Sequence, residues 1–177
     1  SDVCSSDLSS HGVEILSSEQ RRCDRIEKFV QPGDTIIIPA FGVALPIEKR
    51  LMEIGCRIID CSCGDVIRLW RWSEKAVSEG YSILIFGRSM HDETVVTKSR
   101  LEAANGKYLV VENLKQVQLF CDMLAGKSPE TFSVFPPHAT NADGISQFAR
   151  LAHVSQTTML YDDTMKVQQM IKEAFAS

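Results

Sequence analysis

Short runs of β-branched and apolar residues recur along this chain, with room for about one helix between most of them. The runs are VEIL (13–16), TIIIPAF (35–41), RIIDCS (57–62), SILIFG (82–87), KYLVVE (107–112) and RLAHVSQ (150–156). Between them the apolar period lengthens. Pro46 to Ile54 reads as a helix ended by Gly55, and Asp65 to Glu79 as one ended by Gly80. Asn113 caps a third, which carries Leu114, Val117, Cys121 and Leu124 on one face. The last has a stripe of Val167, Met170, Ile171, Ala174 and Phe175. Strands that alternate with helices in this way predict an α/β fold with mostly parallel sheets. The stretch 127–146 holds three prolines and no period, and reads as a loop insertion.

The chain has 177 residues, 44% of them hydrophobic, enough to build a core. A net charge of −4 argues against non-specific nucleic-acid binding. No run reaches the roughly 18 apolar residues that span a bilayer, and no secretory signal is recognisable, so neither membrane nor nucleic acid is an expected partner. Six cysteines in a chain with regular α/β patterning read as reduced thiols of a cytosolic protein. The first eight residues, SDVCSSDL, carry no apolar period and read as a terminal scar or disordered tail.

In open α/β sheets, ligands bind beyond the carboxyl ends of the strands. Four such ends carry chemistry here: Phe41-Gly42, Cys63-Gly64, the Gly87 turn leading to His91-Asp92-Glu93-Thr94, and Gln156-Thr157-Thr158. Cys63 would end a strand and begin a helix, where free N–H groups and the helix dipole favour a thiolate. Each residue also has an ordinary reading. Cys63 serves equally as a small apolar side chain, and His91 and Glu93 as decoration of a helix start. Thr157 and Thr158 serve equally as caps. Cys61 and Cys63 form a C-x-C pair on one strand face, short of a metal site without further ligands. Trp70 and Trp72 read as packing or surface residues.

Five segments, IIIPAFGV, IIDCSCGDVIRLW, HDETVVT, GKYLVVENLKQVQLFCDMLAGK and SQTTMLYDDT, stand in an order and at intervals that resemble one family. It is that of the LytB-type iron–sulfur 4-hydroxy-3-methylbut-2-enyl diphosphate reductases, in its plant and cyanobacterial branch. The resemblance covers about residues 11 to 177. It implies three similar α/β domains around a [4Fe–4S] cluster held by three cysteines. It also implies reductive dehydroxylation of an allylic diphosphate to isopentenyl and dimethylallyl diphosphate, the last step of the methylerythritol phosphate route. Ferredoxin or flavodoxin would donate the electrons. The location would be cytoplasmic, or the plastid stroma in a plant-like source.

Residue by residue, the resemblance makes Cys63 a cluster ligand, His91 a diphosphate contact and Glu93 the proton source. Thr157 would bond near the substrate hydroxyl, with Gln156 and Thr158 beside it, and Phe41 would line the pocket wall. Only one of the three expected cysteine ligands matches; Cys4, Cys23, Cys56, Cys61 and Cys121 match none. The family's TTCP reads CSCG here, which places Cys61 where threonine is usual and gives it a packing role. The resemblance thus describes an internal piece: 9–63 as the remainder of a first α/β domain and 64–177 as a second, inactive alone. Two other classes stay open: a non-catalytic α/β phosphate-binding module, and a metal or redox protein using Cys61 and Cys63.

Overall fold

A computed structural model describes residues 7–17, 20, 24–129 and 131–176. Cys4 and Cys23, and most of the expected terminal tail, lie outside them. The chain divides into two compact units: one of residues 1–37 and 46–59, the other of 38–45 and 60–177. The element order is β1 (Thr35–Ile38), α1 (Leu45–Ile54), β2 (Arg57–Asp60), α2 (Gly64–Ser78), β3 (Ser82–Phe86), α3 (Asp92–Ala103), β4 (Tyr108–Val111), α4 (Leu114–Leu124), β5 (Leu151–Ser155) and α5 (Tyr161–Ala176). This alternation is the α/β fold that the hydrophobic patterning predicts.

In the first unit, Ile26, Val30 and Leu51 are buried, and Leu16, Ile36, Ile47, Ile54, Cys56 and Ile58 pack around them. Helix α1 stops at Gly55, whose φ of +90° suits a residue without a side chain. The Gly55 N–H reaches the Met52 carbonyl and the Cys56 N–H the Leu51 carbonyl, the paired bonds of a Schellman end. The VEIL run is not a strand: 13–17 carries no regular structure, and Leu16 contributes only as a packing side chain. Four apolar-leaning residues make a strand only when a neighbouring strand accepts their backbone.

The second unit is built on a three-stranded sheet of order β4-β3-β5, parallel throughout. All five residues of the central β3 are buried, as are all four of β4, as befits a parallel sheet covered on both faces. Val117 and Phe120 of α4 and Val167 of α5 are fully buried in the same core. The expected α5 stripe packs except at Phe175, which is 50% exposed. Phe148 fills the core from a short 3-10 turn and meets Phe120 edge-on at 5.3 Å.

The stretch 127–146 is more than a loop. Thr140 bridges Leu109 in antiparallel sense, and the Val110 N–H donates to the Ala139 carbonyl at 2.7 Å. Asn141 completes the seam, its Oδ1 accepting from the Tyr108 N–H and its Nδ2 donating to the Gly106 carbonyl, both at 2.9 Å. The insertion therefore covers the side of β4 that β3 does not pair, a common way to protect a sheet edge.

Candidate active site

Phe41, Cys63, His91, Glu93, Gln156, Thr157 and Thr158 all lie in the second unit. Strand β3 ends at Phe86, and the chain turns through Gly87 to Ser89 before α3 begins. His91 is the N-cap of α3, its Nδ1 accepting from the Glu93 N–H at 3.3 Å. That bond occupies Nδ1 and does not involve Nε2, and the residue is half-exposed. Glu93 lies in the first turn and is buried at 3% exposure.

Next to β3, strand β5 ends at Ser155 and delivers Gln156, Thr157 and Thr158. The Thr157 N–H donates to Glu93 Oε1 at 2.8 Å, and the Thr157 hydroxyl lies 2.7 Å from Oε2. One threonine thus grips both oxygens of the buried carboxylate, and its own side chain stays exposed.

Gln156 is buried at 5% exposure and ties the two strand ends together. Its Oε1 accepts from the Arg88 N–H at 3.1 Å and from the Thr94 hydroxyl at 3.4 Å, and its Nε2 donates to the Thr158 hydroxyl at 2.6 Å. Three of the carboxamide's four hydrogen-bonding positions are thus engaged inside the protein. Gly87 makes room for it: a Cβ there would stand 2.8 Å from Gln156 Cβ and 2.9 Å from its Oε1.

The structure therefore brings His91, Glu93, Gln156, Thr157 and Thr158 into one hydrogen-bonded network. Thr94 joins it, although it carried no signal in the sequence beyond its place beside Glu93. A second polar cluster lies behind the turn. Lys98, buried on α3, donates to the Ser89 hydroxyl at 3.4 Å and to the His138 carbonyl at 3.1 Å. The Ser89 N–H donates to Glu112 at 2.9 Å. Burial lowers the pKa of Lys98.

Phe41 and Cys63 stand apart from this network, with no hydrogen bond to it. Phe41 is half-exposed on a tight turn closed by the Gly42 N–H and the Pro39 carbonyl. Gly42 has φ +79°, and a Cβ there would lie 2.4 Å from the Trp70 ring. The buried Trp70 packs with Val66 of α2 and Val96 of α3, while Trp72 is half-exposed on the surface.

Cys63 is the N-cap of α2, one turn beyond the end of β2, and is exposed with no side-chain cap bond. Cys61 is exposed too, so the packing role expected for it is not what the structure shows. Its strand has already ended at Asp60, and nothing covers the side chain. Cys56 and Cys121 are of another kind: burial raises both thiol pKa values, that of Cys121 to about 11. Among the described residues no three His, Cys, Asp or Glu side chains gather as a metal site. None of the described helices is long and apolar enough to cross a membrane.

Known proteins resemble this chain in sequence and in fold. The chain is 35% identical over 146 residues to a protein from Crocosphaera subtropica named 4-hydroxy-3-methylbut-2-enyl diphosphate reductase, covering 81% of this chain and 35% of that protein. A Synechococcus protein of the same name is 35% identical over 163 residues, covering 89% and 40%. The fold resembles a solved structure of (E)-4-hydroxy-3-methyl-but-2-enyl diphosphate reductase with a TM-score of 0.68 at 24% identity, over 95% of this chain and 48% of that one. A Plasmodium falciparum reductase structure gives 0.61 at 23%, over 84% and 39%. The chain thus spans less than half the length of each of these relatives. With the sequence model of the LytB protein family matching residues 2–177, the chain belongs to that family.

Proposed function

We propose that this chain carries the proton-delivery and diphosphate-binding part of a 4-hydroxy-3-methylbut-2-enyl diphosphate reductase. The observation that carries the reading is the double contact between Glu93 and Thr157 at two adjacent strand ends. The overall reaction takes up two electrons and two protons, breaks the allylic C–O bond and releases water with isopentenyl or dimethylallyl diphosphate.

Hydroxide is a poor leaving group and must depart as water, so a proton has to reach its oxygen. A proton on Glu93 Oε2 is one short hydrogen bond from the Thr157 hydroxyl, which is exposed and can pass it outward. The Thr157 N–H holds the other oxygen, so the carboxyl cannot rotate away. His91 Nε2 and the positive end of the α3 helix dipole suit the anionic diphosphate. Gln156 serves this site as a positioning residue, because its carboxamide spends its bonds on the protein. Phe41 would wall the apolar side.

The family resemblance adds a [4Fe–4S] cluster, and Cys63 fits one corner of it. Its thiol is exposed, makes no cap bond, and sits at the N-terminus of α2. The other ligands would come from outside the described residues. When bound, such a cluster supplies the electrons and Lewis acidity that the side chains lack. A small electron carrier such as ferredoxin or flavodoxin would reduce it.

The test is anaerobic turnover of 4-hydroxy-3-methylbut-2-enyl diphosphate by the chain completed with its flanking sequence and reconstituted with iron and sulfide. Conversion that disappears in Cys63→Ser, together with its iron, supports the reading. A completed, iron-loaded protein that leaves this substrate untouched favours the non-catalytic phosphate-binding module.

A further inference from the structure

We infer that, while no iron–sulfur cluster occupies Cys63, Cys61 and Cys63 form a two-thiolate site for a soft monovalent cation, copper(I). The Cys61 N–H donates to the Ile38 carbonyl at 3.0 Å and the Cys63 N–H to the Ala40 carbonyl at 2.8 Å. Both donors and both acceptors are two residues apart, so the two segments run parallel and extended. Between them the Ser62 N–H is held by Asp60 Oδ1 at 2.8 Å. Three successive amides are pinned, and the backbone under both thiols is fixed.

Residues two apart in an extended segment project to the same face, with backbones roughly 6–7 Å apart. Both cysteines are exposed, and Ser62 between them is half-buried. A disulfide needs Cβ atoms about 3.5–4.5 Å apart, closer than this backbone brings them. A bridging metal ion does not. With metal–sulfur bonds of about 2.3 Å, two sulfurs on opposite sides of one ion stand about 4.6 Å apart, within reach of side chains that lean toward each other.

Coordination number selects the ion. Zinc in protein sites takes four ligands, and hard cations take six or more oxygens. No third His, Cys, Asp or Glu joins the pair among the described residues. Two thiolates and nothing else suit a cation that accepts linear two-coordination by soft sulfur, which is copper(I). Because the resemblance gives Cys63 to the cluster, copper at the pair and iron at Cys63 would exclude one another. The copper site itself rests on the geometry of the pair alone.

The test is titration of the reduced, metal-free chain with copper(I) under anaerobic conditions, against a chromogenic copper(I) chelator. A Cys4→Ser/Cys23→Ser background removes the thiols outside the described residues. One copper per chain should be retained in that background. Cys61→Ser and Cys63→Ser should each weaken retention by roughly 100-fold or more, while Cys56→Ser and Cys121→Ser change it little. Circular dichroism confirms that each variant is folded, and X-ray absorption should report two sulfur neighbours. No retention in the background chain, or equal retention after loss of Cys61, overturns the inference. Failure here leaves the reductase reading standing, since a cluster requires Cys63 and not Cys61.

Discussion

Both oxygens of the Glu93 carboxylate are held by the same residue, Thr157, one by its N–H at 2.8 Å and the other by its hydroxyl at 2.7 Å. The two residues are 64 positions apart and meet only because β3 and β5 are paired in parallel register, Phe86 opposite Ser155. The sheet places the carboxylate and the hydroxyl side by side, and the turns beyond it aim them.

This relationship separates binding from proton transfer. Glu93→Gln keeps the size of the side chain and an acceptor for the Thr157 N–H, but removes the proton. In the completed enzyme turnover should fall by roughly 100-fold or more, with a much smaller change in substrate affinity. Thr157→Val keeps the N–H bond and loses the hydroxyl, so it should also reduce turnover more than affinity. His91→Ala should do the reverse and weaken diphosphate binding. Single-turnover rates and substrate affinities of the three variants check this; near-normal turnover in Glu93→Gln would move the proton role to another group.

Two close-packed glycines, Gly87 in the network and Gly42 on the Phe41 turn, should differ in their tolerance. At Gly87 an added Cβ meets the Gln156 side chain, which can shift only by giving up bonds to Arg88, Thr94 or Thr158. Gly87→Ala should cost about 1–3 kcal/mol. Gly42→Ala adds a left-handed φ to a collision with the buried Trp70 ring, and should cost about 3 kcal/mol or more. Urea denaturation of the two variants ranks them, and the reverse order would contradict the packing described here.

Much of the second unit was legible because its strands are apolar without interruption and its helices carry clean stripes. Val117 and Cys121 pack as the α4 period predicts, and the Asn113 side chain caps that helix by accepting from the Gln116 N–H. Helix α3 was harder to see. Its buried residues mix the polar Glu93, Thr94, Thr97 and Lys98 with Val96 and Leu101, so the apolar period is broken. The insertion was illegible for a related reason: side-chain amides and hydroxyls join it to β4, and these have no repeat. The residues of the network could be picked from strand ends, but the bonds that Gln156 makes within the protein depend on distances that spacing does not encode.

His153 makes the fold sensitive to acid. Burial lowers its pKa from 6.5 to about 4, and its Nε2 lies 3.2 Å from the Ser155 hydroxyl. With the folded pKa below the unfolded one, the unfolded chain binds more protons between these values. Stability therefore falls as pH drops from 6.5 toward 4, by roughly 2 kcal/mol from this group. Lys98 follows the same sign in the alkaline range, where stability should rise as pH approaches 10.5. Unfolding free energies at pH 7 and pH 4.5 test the histidine, and His153→Leu should flatten the acid slope.

Asn141 offers a test of the insertion as an edge cover. Its carboxamide accepts from the Tyr108 N–H and donates to the Gly106 carbonyl, the two backbone groups at the entry to β4. Asn141→Leu removes both partners and leaves an unmet donor on the buried Tyr108, at a cost of about 1–3 kcal/mol. Asn141→Asp keeps an acceptor for Tyr108 but sets a carboxylate against the Gly106 carbonyl, so it should also destabilise. Amide hydrogen exchange distinguishes the two. The Tyr108 amide should lose protection in Asn141→Leu and keep most of it in Asn141→Asp, whereas β3 amides should change in neither beyond the global loss of stability. Full Tyr108 protection in Asn141→Leu would mean that the insertion holds the edge without this residue.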